Sequence, residues 1–368
     1  MRQIKNPPAI VNISILLILI ACAGSQAVKP VQEPAIAPRD WGNFQWEREY
    51  FSDRREPLYP ADYRSTGYSA VQYIRFISDN LFGRKPFSYR EKEAAAWLVD
   101  EILAIGHPWE NIQVQEFPVD TGDHWWALNN DPKWISEFSL RQTEQLSQNI
   151  ILTVKGQSEL IMIAGAHYDS YPTPGASDNA SGVSLLLESA QRILSMDNYY
   201  TIMYVFFGAE EVGLVGSSYF IGNLEKEKAE NIVLMINADD LFEGHYLFYG
   251  AATEKDGRPD ENAITHQIDA IARELDMGLI ARPDSAFLLS DQLPFLMRGH
   301  TVVALEGLFR TEYLRVPGFF MMDDYMFMRT VGHTQADCFH QIEASWPGLI
   351  ETNMRAFSIF LERLLLMN

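Results

Sequence analysis

Leu160-Ile161-Met162-Ile163-Ala164-Gly165-Ala166-His167-Tyr168-Asp169-Ser170 is a short apolar run that ends in small residues and then, at once, in a histidine and an aspartate. A run of this length without polar alternation predicts a strand buried on both faces, over 160–164. Two similar runs follow, Thr201 to Phe207 and Ile232 to Ile236, and a third stands at Thr301 to Leu305. Between them lie helical patterns, Gly182 to Leu194 and Ser217 to Leu224, with another at about Gly348 to Leu366. The alternation predicts an α/β fold: a central mixed, mostly parallel β-sheet flanked by helices on both faces. Upstream, Ser88 and Glu91 have capping-box spacing, apolar residues from Ala94 to Leu103 fill one helical face, and Gly106 follows, so a helix is expected over 88–105. Strands are expected over 111–118 and 148–155.

The chemistry gathers where the strands stop. His167 and Asp169 follow the first run, Glu210 and Glu211 the second, and Asp239 the third. Asp178 lies in the loop Pro174 to Gly182 that leads into a helix from the same rim. Open α/β sheets place their ligands past the carboxyl ends of their strands. Zinc takes imidazole nitrogen and carboxylate oxygen, and a catalytic ion keeps a position open to water. One histidine and two carboxylates supply three ligands, so five such side chains serve two ions if one carboxylate bridges. Two dications also explain how so many acids converge without expelling one another.

The segments Gly165 to Ser170, Gly175 to Gly182, Phe206 to Ser217, Ile236 to Asp239 and His333-Thr334-Gln335-Ala336-Asp337 resemble, in order, the motifs of the M28 family of metallopeptidases. The resemblance runs from about residue 65 to the C-terminus and implies an exopeptidase with a two-zinc-activated water, acting on peptides with a free amino terminus. By it, His167 and Asp239 hold one Zn2+, Glu211 and His333 the other, and Asp178 bridges them. Glu210 is then the general base, and Asp169 the carboxylate that fixes the tautomer of His167. Three positions depart from the pattern: Ser177 where an aspartate is frequent, Gln292 in a Ser-Asp-His-like segment, and Gly332 where an aromatic is common. Asp291 and Leu293 to Gly299 look somewhat like glutaminyl cyclases, which share this fold but use one zinc and form pyroglutamate. A second alternative is a non-catalytic binding domain, but all six polar side chains are present. The remaining histidines, at 107, 124, 245, 266, 300 and 340, are expected to be structural.

The chain is an ordinary globular sequence of 368 residues, 47% hydrophobic and 21% charged. Arg2 and Lys5 precede an apolar run that ends in Leu19-Ile20-Ala21-Cys22, a pattern resembling a bacterial lipoprotein signal cut before the cysteine. The expected organisation is a signal over 1–21, a Pro-rich tether over 22–60, and one metallopeptidase-like domain over 61–368, exported and held on a membrane by lipid on Cys22. With 49 acidic against 29 basic residues and a formal net charge of −20, nucleic acid is excluded as a natural partner. Cys338 is expected to be an apolar filler and not a ligand. Two insert-like stretches, 120–131 with Trp125 and Trp126, and 308–330, are expected either to cover a site or to pack on the surface.

Overall fold

The structure is a computed structural model that describes residues 44–51, 54, 56–62, 64–118, 146–311, 321–322, 325–328 and 331–367. The chain divides into two units, Met1–Phe44, in which only Phe44 is described, and Gln45–Asn368. The second unit carries the sheet. In chain order its strands are β1 Ile112–Pro118, β2 Leu146–Val154, β3 Ile161–His167, β4 Thr201–Phe207, β5 Ile232–Ala238, β6 Tyr246–Lys255, β7 Arg258–Asp260, β8 Ile280–Ala281, β9 Val302–Thr311, β10 Met321–Met322 and β11 Tyr325–Met328. The longer helices are α1 Tyr68–Asn80, α2 Tyr89–Ile105, α3 Ser181–Ile193, α4 Val215–Asn223, α5 Lys226–Glu230, α6 Ala263–Leu275, α7 Leu293–Leu296, α8 Phe339–Ser345 and α9 Leu349–Leu365.

The strands follow the order β1-β2-β4-β3-β5-β9-β11-β10, with β6 on β9 and β7 and β8 on β6. The centre, β4-β3-β5-β9, is parallel, and antiparallel strands extend it on both sides. This is the expected α/β architecture. Every residue of β3 and β4 is buried, which is why both read as continuous apolar runs. Ile161, Ile163, Met203, Val205 and Phe207 pack with Phe220 and Ile221 of α4 and with Phe295 and Leu296 of α7. The alternate residues Met162, Ala164, Ala166, Ile202, Tyr204 and Phe206 are equally buried. On their side lies α3, where Ser189 bonds the hydroxyl of Tyr204 at 2.9 Å. Gly182 there comes so close that a Cβ would meet the Ala238 carbonyl at 2.2 Å.

Five helices were not anticipated, α1, α6 and the short α5, α7 and α8. In α1 the apolar positions Ala70, Tyr73, Ile74 and Ile77 do follow helical spacing and are buried. Asn262 caps α6 through a reciprocal box with Thr265. The packed unit also begins earlier than residue 61. Phe51 packs tilted against Trp109 with centroids 5.3 Å apart, Tyr59 meets Tyr73 edge-on at 5.2 Å, and Leu58 N–H donates to Glu101 at 2.8 Å. The described residues between 45 and 60 thus pack on the unit that carries the sheet; their anchors are spaced irregularly, so no periodicity announces them. The signal over 1–21, Cys22, the tether to residue 43 and the 120–131 stretch lie outside the described residues. Within 308–330, β9 runs on to Thr311 and β11 pairs antiparallel with it, so the described part of this stretch extends the sheet.

Candidate metal centre

The parallel strands end side by side, and their last residues bring the acids and imidazoles together. His167 closes β3 and is 1% exposed. Its Nε2 lies 3.2 Å from Asp178 Oδ1 and 3.2 Å from Asp239 Oδ1, the latter just beyond β5. On the far side of Asp178, Oδ2 stands 3.0 Å from His333 Nε2, and that nitrogen is 3.1 Å from Glu211 Oε2. One carboxylate thus lies between two histidines, and each histidine has a second carboxylate of its own. The ring of His333 stacks on Tyr171, centroids 3.8 Å apart and 19° between planes. Ligand-capable atoms of His167, Glu210 and Asp239 all lie within 4.8 Å of one another, as do those of His167, Asp178 and Glu211.

Backbone contacts hold these side chains in place. The loop bearing Asp178, which contains a cis Asp178-Asn179 peptide, is tied to the segment bearing His333 through Asp337. The carboxylate of Asp337 accepts the N–H groups of Ser177 at 2.6 Å and Asp178 at 3.1 Å. Gly175, at φ 60°, opens this loop, and a Cβ there would meet the Asp178 carbonyl at 2.7 Å. Asp239 is held through Oδ2 by the hydroxyl of Ser290 at 2.7 Å. The buried guanidinium of Arg84 donates to the carbonyls of Tyr168 at 2.6 Å, Gly175 at 3.1 Å, Leu81 at 3.2 Å and Pro174 at 3.2 Å, joining the His167 and Asp178 loops.

Asp169 offers His167 both a peptide oxygen and its carboxylate. The nearest acceptor to His167 Nδ1 is the Asp169 carbonyl, at 3.2 Å, while its carboxylate is 3.6 Å away. That carboxylate is occupied by the N–H groups of Glu210 at 3.1 Å and Glu211 at 3.2 Å. Both Asp169 oxygens favour a proton on Nδ1, which leaves Nε2 facing the acids, and the carboxylate also organises the Glu-Glu turn.

Burial alone would push His167 down, yet Glu210, Asp239 and the hydrogen bonds of Asp169 and Asp178 hold it well above the ordinary imidazole range. His333 is likewise opposed by burial but is carried up to about 12 by Asp178 and Glu211. Burial would raise Asp178, but the two histidines hold it well below the usual carboxylate range. Burial raises Glu210, with Glu211, Asp291 and Asp239 adding to it, and burial with Asp178 takes Glu211 to about 7. One buried imidazole, His167, one partly exposed imidazole, His333, and three carboxylates, with the outer nitrogen of His167 already bonded, form the nitrogen and oxygen donor set that zinc takes. Dications would replace the protons that these groups otherwise share.

All seven predicted site residues thus meet at one rim. Ser177 is part of the Asp178 loop, where its hydroxyl accepts the Phe242 N–H at 3.4 Å. Gln292 accepts from Asn237 at 2.8 Å and takes no place among the donors. Cys338 begins α8 and joins none of the metal-sized groups among the described residues. Neither do the other described histidines: His107 bonds the Ala190 carbonyl, His340 pairs with Asp79, and His300 packs near Phe295. His124 is outside the described residues. Sequence reasoning missed Arg84, Tyr171 and Ser290. Only Ser290 carried a signal, its place in the Ser-Asp-Gln segment.

An α/β sheet with paired imidazoles and a shared carboxylate past the ends of its parallel strands is the framework of a metal-dependent hydrolase. Residues 149–358 match Peptidase family M28, and the chain belongs to that family. Among its curated relatives, the aminopeptidase YwaD of Bacillus subtilis is 41% identical over 101 residues, 26% of this chain and 22% of that protein. The chain spans between about a fifth and two fifths of the length of the first such relatives. The fold is that of the zinc aminopeptidase BSAP from Bacillus subtilis, with a TM-score of 0.61 at 17% identity, covering 83% of this chain and 95% of that one. A glutaminyl cyclase from Tannerella forsythia shares it, with a TM-score of 0.56 at 20% identity, covering 82% and 98%.

Proposed function

We propose that the protein is a zinc-dependent aminopeptidase that hydrolyses the first peptide bond of substrates with a free amino terminus. One observation carries the two-ion form of this reading: Asp178 lies between His167 and His333, at 3.2 and 3.0 Å, so that the five donors fall into two linked halves. His167 and Asp239 would hold one ion, Glu211 and His333 the other, and Asp178 would serve both. When bound, zinc supplies Lewis acidity for the scissile carbonyl and makes water acidic enough to lose a proton near neutral pH. Glu210 takes that proton and returns it to the departing amine. Burial and the neighbouring carboxylates hold its pKa well above the usual carboxylate range, which strengthens it as a proton acceptor. Asp169, bonded to the N–H groups of both glutamates, keeps Glu210 toward the reacting water while Glu211 stays against His333.

A glutaminyl cyclase reading is supported by Asp291, a fully buried carboxylate in the same acidic field, raised to about 7 by burial and by Asp169 and Asp239. Metal analysis of the purified protein, together with assays on aminoacyl, glutaminyl-peptide and carboxyl-terminal substrates, separates the readings. Two zinc ions per chain and release of amino-terminal residues are expected. Pyroglutamate formation with one ion would replace the proposal by the cyclase. The basic residues Arg2 and Lys5, the apolar run and Cys22 support export with a lipid on Cys22. Cys22→Ala is expected to move the protein from the membrane fraction to the soluble one.

A further inference from the structure

Glu91 lies in the first turn of α2, outside the stretch that matches the family. Its side chain is 1% exposed, yet it faces no cation within ion-pair distance among the described residues. Instead Oε2 accepts the Phe87 N–H at 2.5 Å, while Oε1 accepts the Ser147 hydroxyl at 2.7 Å and the Ala209 N–H at 3.1 Å. Ala209 is the residue immediately before the Glu210-Glu211 pair. The next two N–H groups, those of Glu210 and Glu211, end on the carboxylate of Asp169. Three successive peptide donors are therefore held by two buried carboxylates, one reaching from α2 and the other from the loop after β3.

The turn they hold is not one a chain keeps unaided. Ala209 sits at φ 55° and Leu214 at φ 56°, both left-handed and both without the freedom of glycine. A burial cost as large as that of an unpaired carboxylate is tolerated only where its hydrogen bonds fix something. Gly208 leaves room for the approach, since a Cβ there would stand 3.1 Å from Glu91 Oε1.

We infer that Glu91 is a positioning residue for the base: by fixing Ala209 it sets the direction in which Glu210 leaves the turn. The inference rests on the proposed hydrolytic reading of the site. In Glu91→Gln the amide has one acceptor oxygen for three donors, and its NH2 must face a backbone N–H at Phe87 or at Ala209. Either way the turn loosens without a change in side-chain volume. A role confined to capping α2 makes a different prediction, because Ser88 already caps that helix by accepting the Glu91 N–H at 3.2 Å. Loosening α2 alone would leave the Glu210 turn intact.

The test uses the full-length protein, with Glu91→Gln, Glu91→Ala and, as the control for helix capping, Ser88→Ala. Misplacing a catalytic group by about 1 Å costs on the order of a hundredfold, so Glu91→Gln is expected to lower kcat by about tenfold or more, with KM within about twofold and zinc content unchanged. Hydrogen exchange of the metal-free protein is expected to be faster over Ala209–Leu214 in both Glu91 variants and unchanged there in Ser88→Ala. A kcat within about twofold of wild type, or a fall that tracks lost zinc, would overturn the assignment. If neither Glu91 variant folds, exchange in the metal-free wild type decides: Ala209 to Glu211 must be protected like the interior of α2, and exposed-loop rates there sink the idea. A wild-type protein without peptidase activity would end the functional reading, while the exchange data would still report on the turn.

Discussion

Replacing Glu210 by Gln keeps the size of the side chain and removes only its ability to take a proton. Turnover is expected to fall by roughly 10²–10⁴-fold while zinc content, measured by elemental analysis, stays at the wild-type level. Activity that survives undiminished would take Glu210 out of the mechanism. Arg84 is the opposite case, a residue that touches no substrate but binds four carbonyls of the loops around the site. Burial brings its pKa down to about 10, against the pull of Asp337, Asp169, Asp178 and Glu211. Arg84→Met strands those carbonyls and removes a buried cation from the field of the acids, so a loss of about 3 kcal/mol or more is expected in denaturant unfolding. The loss should be larger in chelator than with zinc, because bound dications supply the missing positive charge. At this scale the sequence revealed what sits directly at strand ends: His167, Glu210, Glu211 and Asp239 were placed by the strands before them. Arg84 and Glu91 were not legible, because each works through peptide groups far away in the chain and nothing in local spacing announces such partners. Glu91 was read as half of a capping box, whereas its side chain passes over Ser88 N–H to reach Phe87, Ser147 and Ala209.

Helices and strands were recovered best where burial is complete. The run at 201–207 matches β4 end to end, because a strand with both faces covered needs apolar residues throughout. α2 was delimited by Ser88 before it and by Gly106 at φ 114° after it. β6 was not anticipated although Tyr246 to Tyr249 opens it as an apolar run; it pairs along Tyr246–Ala252 with β9 and only briefly with β7 and β8. Just beyond α2, His107 is 3% exposed and bonds the Ala190 carbonyl of α3 at 2.9 Å. Burial lowers its pKa below the ordinary 6.5, only partly offset by that hydrogen bond. The unfolded chain therefore binds a proton at pH values where the folded one does not. Stability from this site is complete above about pH 6.5 and is lost as the pH falls below it, until the folded group also protonates. His107→Gln should flatten that part of the stability-versus-pH curve measured by urea unfolding; an unchanged slope would show that another group governs it.

The whole molecule is strongly acidic, with a formal net charge of −20. Its field should draw cationic peptides toward the rim, so KM for substrates with lysine or arginine beyond the first residue is expected to rise about two- to threefold between 0.05 and 0.5 M salt. Neutral peptides should show little change; an equal response from both would assign the effect to the enzyme's own chemistry. The donors themselves come from positions 167 to 333, from the ends of β3, β4 and β5 and from the segment that follows β11. No short stretch of chain contains the set, so a nascent chain lacks the full set of donors until His333 has been made. Acquisition of zinc becomes a late event that follows the non-local closures and then latches them, at a gain of about 2.7 kcal/mol when free metal exceeds its dissociation constant a hundredfold. The latch operates in reverse as well: a chelator that strips the metal is expected to do more than stop turnover, since it would free the segments bearing Asp178 and His333 for proteolytic attack.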